Sequence, residues 1–501
     1  MYIRIFYMKR QLLFVMTILS ATLLFAAQGS QSIKATLVPT EQLLASYLEN
    51  DADLKNLALE LKKSELNRES TQIDKGFTIK LSTGDMTIKF GDDTSVSVKP
   101  GVNATVPALN NLGIDVSSEL GVQNGKTSFN GASAKVSVDI ISDKAANREI
   151  SLLKSDRTVL EAERNLSTKA IEKEKSFYQS LSKLLSSISS IVQKKNSLID
   201  DQNSFEKTKL EGYSATSSTY IKAEMKVLSS ERELESAIHT LINDYKLFYM
   251  NCGYEIEIDD NTDLTSLIPD DIPVVEAVDI TQYKAENYTQ VESNLWNQSV
   301  NQMSRDASTK LTLSANGGYS YKNNNGTSSN TVSAGVSGAY QGLNLSASVN
   351  VPIASGSSSG ASAGGPGAAA SSSSSSPSLT LGLSYTPQTA KKNKIQDELT
   401  QIAIEQENAK VDSAYSAYEN AVKEKLIKLE DIKWNEETNN RNYEMYASVE
   451  KNMKDYYNRG LISEKDYTSA QINTLQAYVK QLTNRIDLIV YNDEVKVMFV
   501  E

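Results

Sequence analysis

The chain of 501 residues holds one histidine, His239, and one cysteine, Cys252. That inventory excludes a Cys/His zinc site, and any Cys–His dyad would have to be that one pair. It also excludes a disulfide within the chain. His239 lies beside Leu241 and Ile242 in a helical pattern, the setting of a packing residue. No P-loop or dinucleotide fingerprint occurs. What remains is carboxylate chemistry from 62 Asp and Glu, with no arrangement that marks an acid–base pair. The reading is a non-enzyme that needs no cofactor and no metal. With 51 Lys and Arg the formal charge is −11, and no basic face offers itself to nucleic acid.

The residues that stand out are two glycines, each breaking a long helical pattern. Residues 143–211 are helix-like up to Gly212, and 390–459 up to Gly460. The surrounding stretches are EGYSATSSTYIKAEMKVL (211–228) and YNRGLISEKDYTSAQINTL (457–475). None of the nine prolines lies between Pro107 and Pro269 or after Pro387. In the second run Ile404, Val411 and Tyr418 recur by seven, as do Tyr415, Val422 and Leu429. Two such seams predict a helix packed on two neighbours. Nearly seventy residues at 1.5 Å each give a rod of roughly 100 Å. Glycine suits the tight turn between a rod and its returning helix, because it accepts left-handed backbone angles. Residues 214–250 and 40–75 each predict a helix about half as long as a rod.

Between the helices the period changes to two. Alternating segments occupy 77–90, 112–122, 132–141, 309–322, 331–341, 342–353 and 378–386, with Ser, Thr, Asn and Gly opposite the apolar side. That is the pattern of a strand between lipid and a wet lumen, or of a half-buried soluble sheet. Residues 354–377, ASGSSSGASAGGPGAAASSSSSSP, read as a flexible loop between strands. At the N-terminus Arg4, Lys9 and Arg10 precede the apolar run LLFVMTILSATLLFAA and then QGSQS. This predicts a secretory signal peptide over 1–29, the alternative being a retained anchor. No cysteine follows the run, so it is not a lipoprotein signal.

The order of helix, strands, long helix, Gly turn and returning helix occurs twice. It predicts a tandem duplication with copies at 30–280 and 281–501, joined by GYEIEIDDNTDLTSLIPDDIPVVEAVDI (253–280). With this order, the signal segment and YNRGLISEKDYTSAQINTL, the chain resembles the TolC outer-membrane efflux family. The resemblance covers the mature chain. It implies an α+β membrane protein in which a trimeric TolC-like β-barrel continues into a long antiparallel α-helical barrel. Each protomer would give four spanning strands to a shared twelve-stranded barrel. Further alternating segments are expected in an extended extracellular portion. The function implied is the exit duct of a tripartite efflux or type I secretion system, passive, in the outer membrane and extending into the periplasm. Its partners would be two further copies, a periplasmic adaptor protein, an inner-membrane pump and outer-membrane lipid.

Carried over residue by residue, Gly212 and Gly460 cap the tube's periplasmic tip. Tyr457 corresponds to a gating tyrosine, and Asp466 to an acid lining the entrance in a ring of three. Without the resemblance, Asp466 is an acid favoured at a helix N-terminus. Ile462 stands where the family has a basic residue. The first turn is one residue longer than the second, and Thr219 stands where an acidic partner is expected. The alternative to a duct is a surface-exposed structural or adhesive protein with a helical stalk and a β-rich tip.

Overall fold

Proline-free stretches rich in Ala, Leu, Lys, Glu and Ser have strong helix propensity, and they form the helices. A computed structural model describes residues 32–34, 37–82, 86–89, 95–123, 126–259, 262–308, 311–324, 327–340, 342–353 and 376–500. The expected signal segment, and the serine-rich loop except for its last two residues, lie outside the described residues. The helices are α1 (Thr40–Asn50), α2 (Ala52–Asp74), α3 (Lys144–Leu210), α4 (Ser218–Asn251), α5 (Thr289–Ala307), α6 (Pro387–Asn458) and α7 (Glu464–Met498). α3 has 67 residues and α6 has 72. Pro387 opens α6, the one turn of a helix where a missing N–H costs nothing.

The single helix expected over 40–75 is two. Asp51 takes an extended backbone and ends α1. Its carboxylate accepts from the Leu54 amide at 3.0 Å and so caps α2. Lys173 of α3, 2.7 Å from Asp51 and 2.9 Å from Asp53, ties the break to the neighbouring helix.

The described strands are β1 (Ser32–Lys34), β2 (Thr78–Ser82), β3 (Met86–Lys89), β4 (Ser95–Val98), β5 (Gly101–Val106), β6 (Leu112–Gln123), β7 (Lys126–Ile141), β8 (Glu255–Glu257), β9 (Leu311–Asn324), β10 (Thr327–Tyr340), β11 (Leu343–Ile353) and β12 (Ser378–Tyr385). β1 and β8 form a small parallel pair.

The chain divides into two units that cut across the sequence halves. One takes Met1–Glu60, Glu163–Glu292 and Tyr415–Glu501, and its described elements are helices apart from β1 and β8. Its core joins Phe177, Leu181, Leu185 and Ile188 of α3, Leu241, Tyr245 and Tyr249 of α4, and Leu482, Ile486 and Ile489 of α7. The opposite flank of α7 packs Leu488, Tyr491 and Val495 against Ile432 of α6 and Ile280 of the connecting segment. α7 is thus the helix buried on two sides. α6 buries one seam, with Tyr418, Val422 and Leu429 packed on this second core. Its other surface leaves Ile427, Trp434 and Met445 exposed. The connecting segment is held by Asn492, which accepts from the Val278 amide and donates to the Glu276 carbonyl, both at 2.8 Å.

The other unit takes Leu61–Ala162 and Ser293–Ala414. It contains a sheet of ten antiparallel strands, β2–β7 and β9–β12. β5 and β4 pair with successive parts of β6, at Leu112–Ser117 and Leu120–Gln123, around Pro100. β2 pairs with β5, and β3 with β4. The ten strands therefore run in eight columns, four from each half of the chain, in the order β2/β3, β5/β4, β6, β7, β9, β10, β11, β12. Strands beyond the expected four flank the central ones in the same sheet. The column β5/β4 was not expected. Val96, Val98, Val102, Ala104 and Val106 do alternate, but the proline between them hides the pattern. Helices of this unit are joined by Arg305 of α5 to Glu407 of α6 at 3.1 Å, and by Arg157 of α3 stacked 5.0 Å over the Trp296 ring of α5.

Leu185 is fully buried in the larger helical core. Leu185→Ala leaves a cavity that three helices cannot jointly collapse into. It is expected to destabilise the helical unit by about 3 kcal/mol, measured by denaturant unfolding followed by far-ultraviolet circular dichroism.

Candidate functional site

The two helix turns are built alike but not equally. At the end of α6, Gly460 adopts φ 70°. Its amide donates to the Tyr457 carbonyl at 2.8 Å, and the Leu461 amide to the Tyr456 carbonyl at 2.9 Å. This is a Schellman motif, in which left-handed glycine lets two orphan carbonyls be satisfied. At the end of α3, Gly212 has φ 77° and donates to the Lys209 carbonyl at 3.1 Å. A Cβ at either glycine would meet nothing within 4 Å. The requirement there is the backbone angle, not space.

The turns differ in length. Seven residues, 211–217, separate α3 from α4, and five, 459–463, separate α6 from α7. The first is two residues longer, not one. α7 begins with a capping box: the Asp466 amide donates to Ser463 Oγ, and the Ser463 amide to the Asp466 carboxylate, each at 3.2 Å. Ser463 Oγ also donates to Asp466 at 2.6 Å, and these bonds hold its carboxyl below the usual range. In the first turn Ser217 accepts from the Tyr220 amide. Tyr220, not Thr219, therefore occupies the position equivalent to Asp466, and it brings no carboxylate. Tyr457 stacks on Tyr467, with ring centroids 5.4 Å apart and planes at 15°. Asp466 and Tyr457 are both exposed. Each returning helix is tied back to α3. Lys465 of α7 reaches Asp200 at 2.5 Å, and Lys226 and Ser230 of α4 both reach Asp201 at 2.6 Å.

A second cluster lies where α7 crosses α3 and α6, and the expectations from sequence did not include it. Adjacent carboxylates behave in opposite ways there. Glu494 meets Lys425 at 2.5 Å, Lys428 at 2.7 Å and Lys175 at 3.5 Å. Burial alone would raise its pKa, but the bonds to Lys425 and Lys428 bring it down to about 2. Asp493 is 1% exposed, and its Oδ2 has no hydrogen-bond partner. Burial, reinforced by the charge of Glu174, pushes it up to about 7, against the opposing pull of Lys496 at 3.3 Å and of Lys175. Glu174 itself is raised by burial. Run on a helix, the string YNDEV gave no sign of this asymmetry.

The sheet is the third feature. Its register places whole rows of one chemistry on one face. One row reads Leu81, Val102, Val116, Ala134, Tyr319, Val332, Val351. The next on that face reads Ile79, Ala104, Ile114, Val136, Gly317, Ala334, Val349, Leu379. The row between them, on the opposite face, reads Lys80, Asn103, Asp115, Lys135, Gly318, Ser333, Asn350, Ser378. Hydroxyls bridge strands on that face, Ser117 to Ser133 at 2.8 Å and Ser314 to Ser337 at 2.9 Å. Among the described residues no apolar side chain of the sheet is buried. Leu81, Leu381 and Leu383 are 70–75% exposed.

Aromatic residues close the apolar face at both ends. Phe129 stacks on Tyr321 at 5.8 Å, and Tyr319 donates to Asn330 at 2.7 Å. At the other end stand Tyr340 and Tyr385, in register with Leu343. Along β10 the ends are ten residues apart, from Asn330 opposite Tyr321 to Tyr340. At 3.4 Å per residue that is roughly 34 Å along the strand. No helix among the described residues is long and apolar enough to cross a membrane.

The chain thus combines a helical unit with a two-faced antiparallel sheet that carries no core of its own. Residues 43–272 match the TP096X N-terminal domain, and residues 273–501 the TP096X C-terminal domain. The two matches adjoin and together run from residue 43 to residue 501. No curated protein matches the chain in sequence. Solved structures similar to it include the outer membrane protein VceC from Vibrio cholerae, with a TM-score of 0.44 at 11% identity over 92% of this chain and 97% of that one. The open state of the Neisseria gonorrhoeae MtrE outer membrane channel gives 0.45 at 11%, over 94% and 93%. The Campylobacter jejuni CmeC outer membrane channel gives 0.40 at 12%, over 91% and 84%.

The Asp493 carboxyl predicts a pH dependence. Its folded pKa, about 7, is raised above the ordinary 3.8. The stability it contributes is complete below pH 3.8 and is lost as the pH rises towards 7. The melting temperature of the helical unit is expected to fall between pH 5 and pH 7.5. Asp493→Asn, uncharged throughout, should flatten that slope and melt higher at neutral pH by about 2–4 °C, equivalent to about 1 kcal/mol. Thermal scans of both proteins across that range provide the check.

Proposed function

We propose that this chain is an outer-membrane channel of the TolC type, the exit duct of a tripartite efflux or type I secretion system. The observation that carries the proposal is the sheet. Among the described residues its apolar face is exposed and ends in aromatic rows, while its other face is Ser, Thr, Asn and Gly with a few charges. A soluble protein leaves no such area of apolar side chains in water. Lipid on one side and an aqueous lumen on the other satisfy both faces. An adhesive stalk has no use for this face. Transport through the lumen is passive, with no cofactor and no catalytic step.

The working form is a homotrimer. The exposed apolar seam of α6, with Ile427, Trp434 and Met445, is a surface that a neighbouring copy covers. In the trimer the turns at Gly212 and Gly460 form the periplasmic tip, where a periplasmic adaptor and an inner-membrane pump engage the duct. Three copies of Asp466 face one another at its mouth, with Tyr457 beside them as gate. A ring of like charges attracts cations, and crowding raises its proton affinity against the lowering by Ser463. Tyr220, which carries no carboxylate in the equivalent place, leaves the first turn outside the ring.

Single-channel recording in planar bilayers tests the function. The detergent-purified oligomer is expected to conduct, to prefer cations under asymmetric salt and to be blocked by divalent ions from the side of the turns. Asp466→Asn should weaken both the preference and the block while leaving oligomer yield unchanged, since the turn rests on Gly460. A folded oligomer that does not conduct would refute the channel. Equal preference and equal block in the two proteins would remove Asp466 from the mouth.

A further inference from the structure

We infer that the two open edges of the sheet are joint surfaces for further copies of this same chain, β12 of one copy pairing with β2/β3 of the next, so that every copy supplies eight strands to one closed barrel. The inference rests on the membrane reading above and adds what that reading leaves open: which strands meet, and how many each copy gives.

Hydrocarbon offers no partner to a backbone N–H or C=O, so a lipid-facing sheet tolerates no open edge. Among the described residues β12 is paired on one side, with β11, and the column β2/β3 on one side, with β5/β4. The other side of each is free. The six columns between them are paired on both sides. A copy giving only four central strands would need β6 and β10 at the joint, and both already hold hydrogen-bonded neighbours left and right.

The two edges suit each other. Eight columns alternating in direction is an even number, so β12 of one copy runs antiparallel to β2/β3 of the next and continues the meander. The apolar face reaches both edges: the row through Ile79 crosses all eight columns to Leu379, with Leu81 beside Ile79 on one edge and Leu381 and Leu383 beside Leu379 on the other. These are also among the most exposed apolar side chains of the sheet, as edge positions awaiting a neighbour are. β12, SLTLGLSY, has no charge and no proline, and its pairing with β11 shows no bulge. The devices by which soluble proteins block edge pairing are therefore missing from it. The pairing joins unlike edges head to tail, and it ends when the ring closes. With three copies the barrel has twenty-four strands. At 4.8 Å between strands and a tilt near 40°, its backbone diameter is roughly 48 Å.

Cysteine cross-linking tests the joint, and the chain is suited to it because Cys252 is its single cysteine and is buried. In full-length Cys252→Ala protein, Leu381→Cys or Leu383→Cys is combined with Ile79→Cys or Leu81→Cys, covering the possible staggers. The oligomer is oxidised in membranes and run without reductant. At least one double variant is expected to give a covalent ladder that stops at the closed ring, whereas mixed single variants stop at dimers. A conducting oligomer in which no unlike-edge pair cross-links would overturn the joint and leave the channel standing. Cross-links between like edges, β12 to β12, would overturn it as well. Absence of both oligomer and conductance would remove the membrane reading and this inference with it. Parallel recordings on the uncrosslinked double variants confirm that the substitutions leave the barrel intact.

Discussion

The rest of this structure depends on one constraint. A single-layer sheet has two faces and two edges, and among the described residues nothing buries the apolar side chains of this one or pairs with its outer edges. In a soluble fold the apolar rows through Ile79, Ile114, Val136 and Val349 would be packed beneath helices, and edge strands would be short, charged or kinked. Here the helices form cores of their own. Folding of the isolated chain therefore leaves the apolar face exposed, and under the proposed function lipid and further copies cover it.

The helical unit shows the contrasting solution. α7 is wedged between the α3–α4 core and α6, and every turn of it from Ile472 to Val495 finds a partner within the chain. Polar contacts fix its height at both ends. Ser463, Asp466 and Lys465 set the start, and Glu494 with its three lysines sets the finish. Between these ends, burial forces Asp493 to hold its proton while the next residue stays ionised. Near Gly460 the exposed Tyr457–Tyr467 stack takes the place of core packing.

Much of this was legible in the sequence because it rests on local chemistry. Proline-free polar helices, period-two strands and the glycines after Leu210 and Asn458 each follow from backbone preferences acting within a few residues. Where the reading failed, a contact distant in sequence had decided the matter. Asp51 breaks the first helix because Lys173 waits across from it. Pro100 masks a strand pair that becomes visible only when β6 provides the register. The equivalence of Tyr220 to Asp466 depends on the true length of the first turn, which a gap in a pattern does not measure.

The sequence by itself determined the type of the long elements and the two-faced character of most strands of the large sheet, since alternation with period two needs no partner to be read. It could not determine that strands from both halves join through β7 and β9 into one sheet, or that all eight columns belong to it. Pairing is a long-range choice among chemically similar strands, and hydrogen-bond register and the twist of neighbours decide it. Burial was undetermined for the same reason. Leu185 and Leu381 look alike in their local patterns, yet one is sealed among three helices and the other faces outward at an open edge. Only the tertiary structure separates the apolar groups the chain covers from those it leaves exposed.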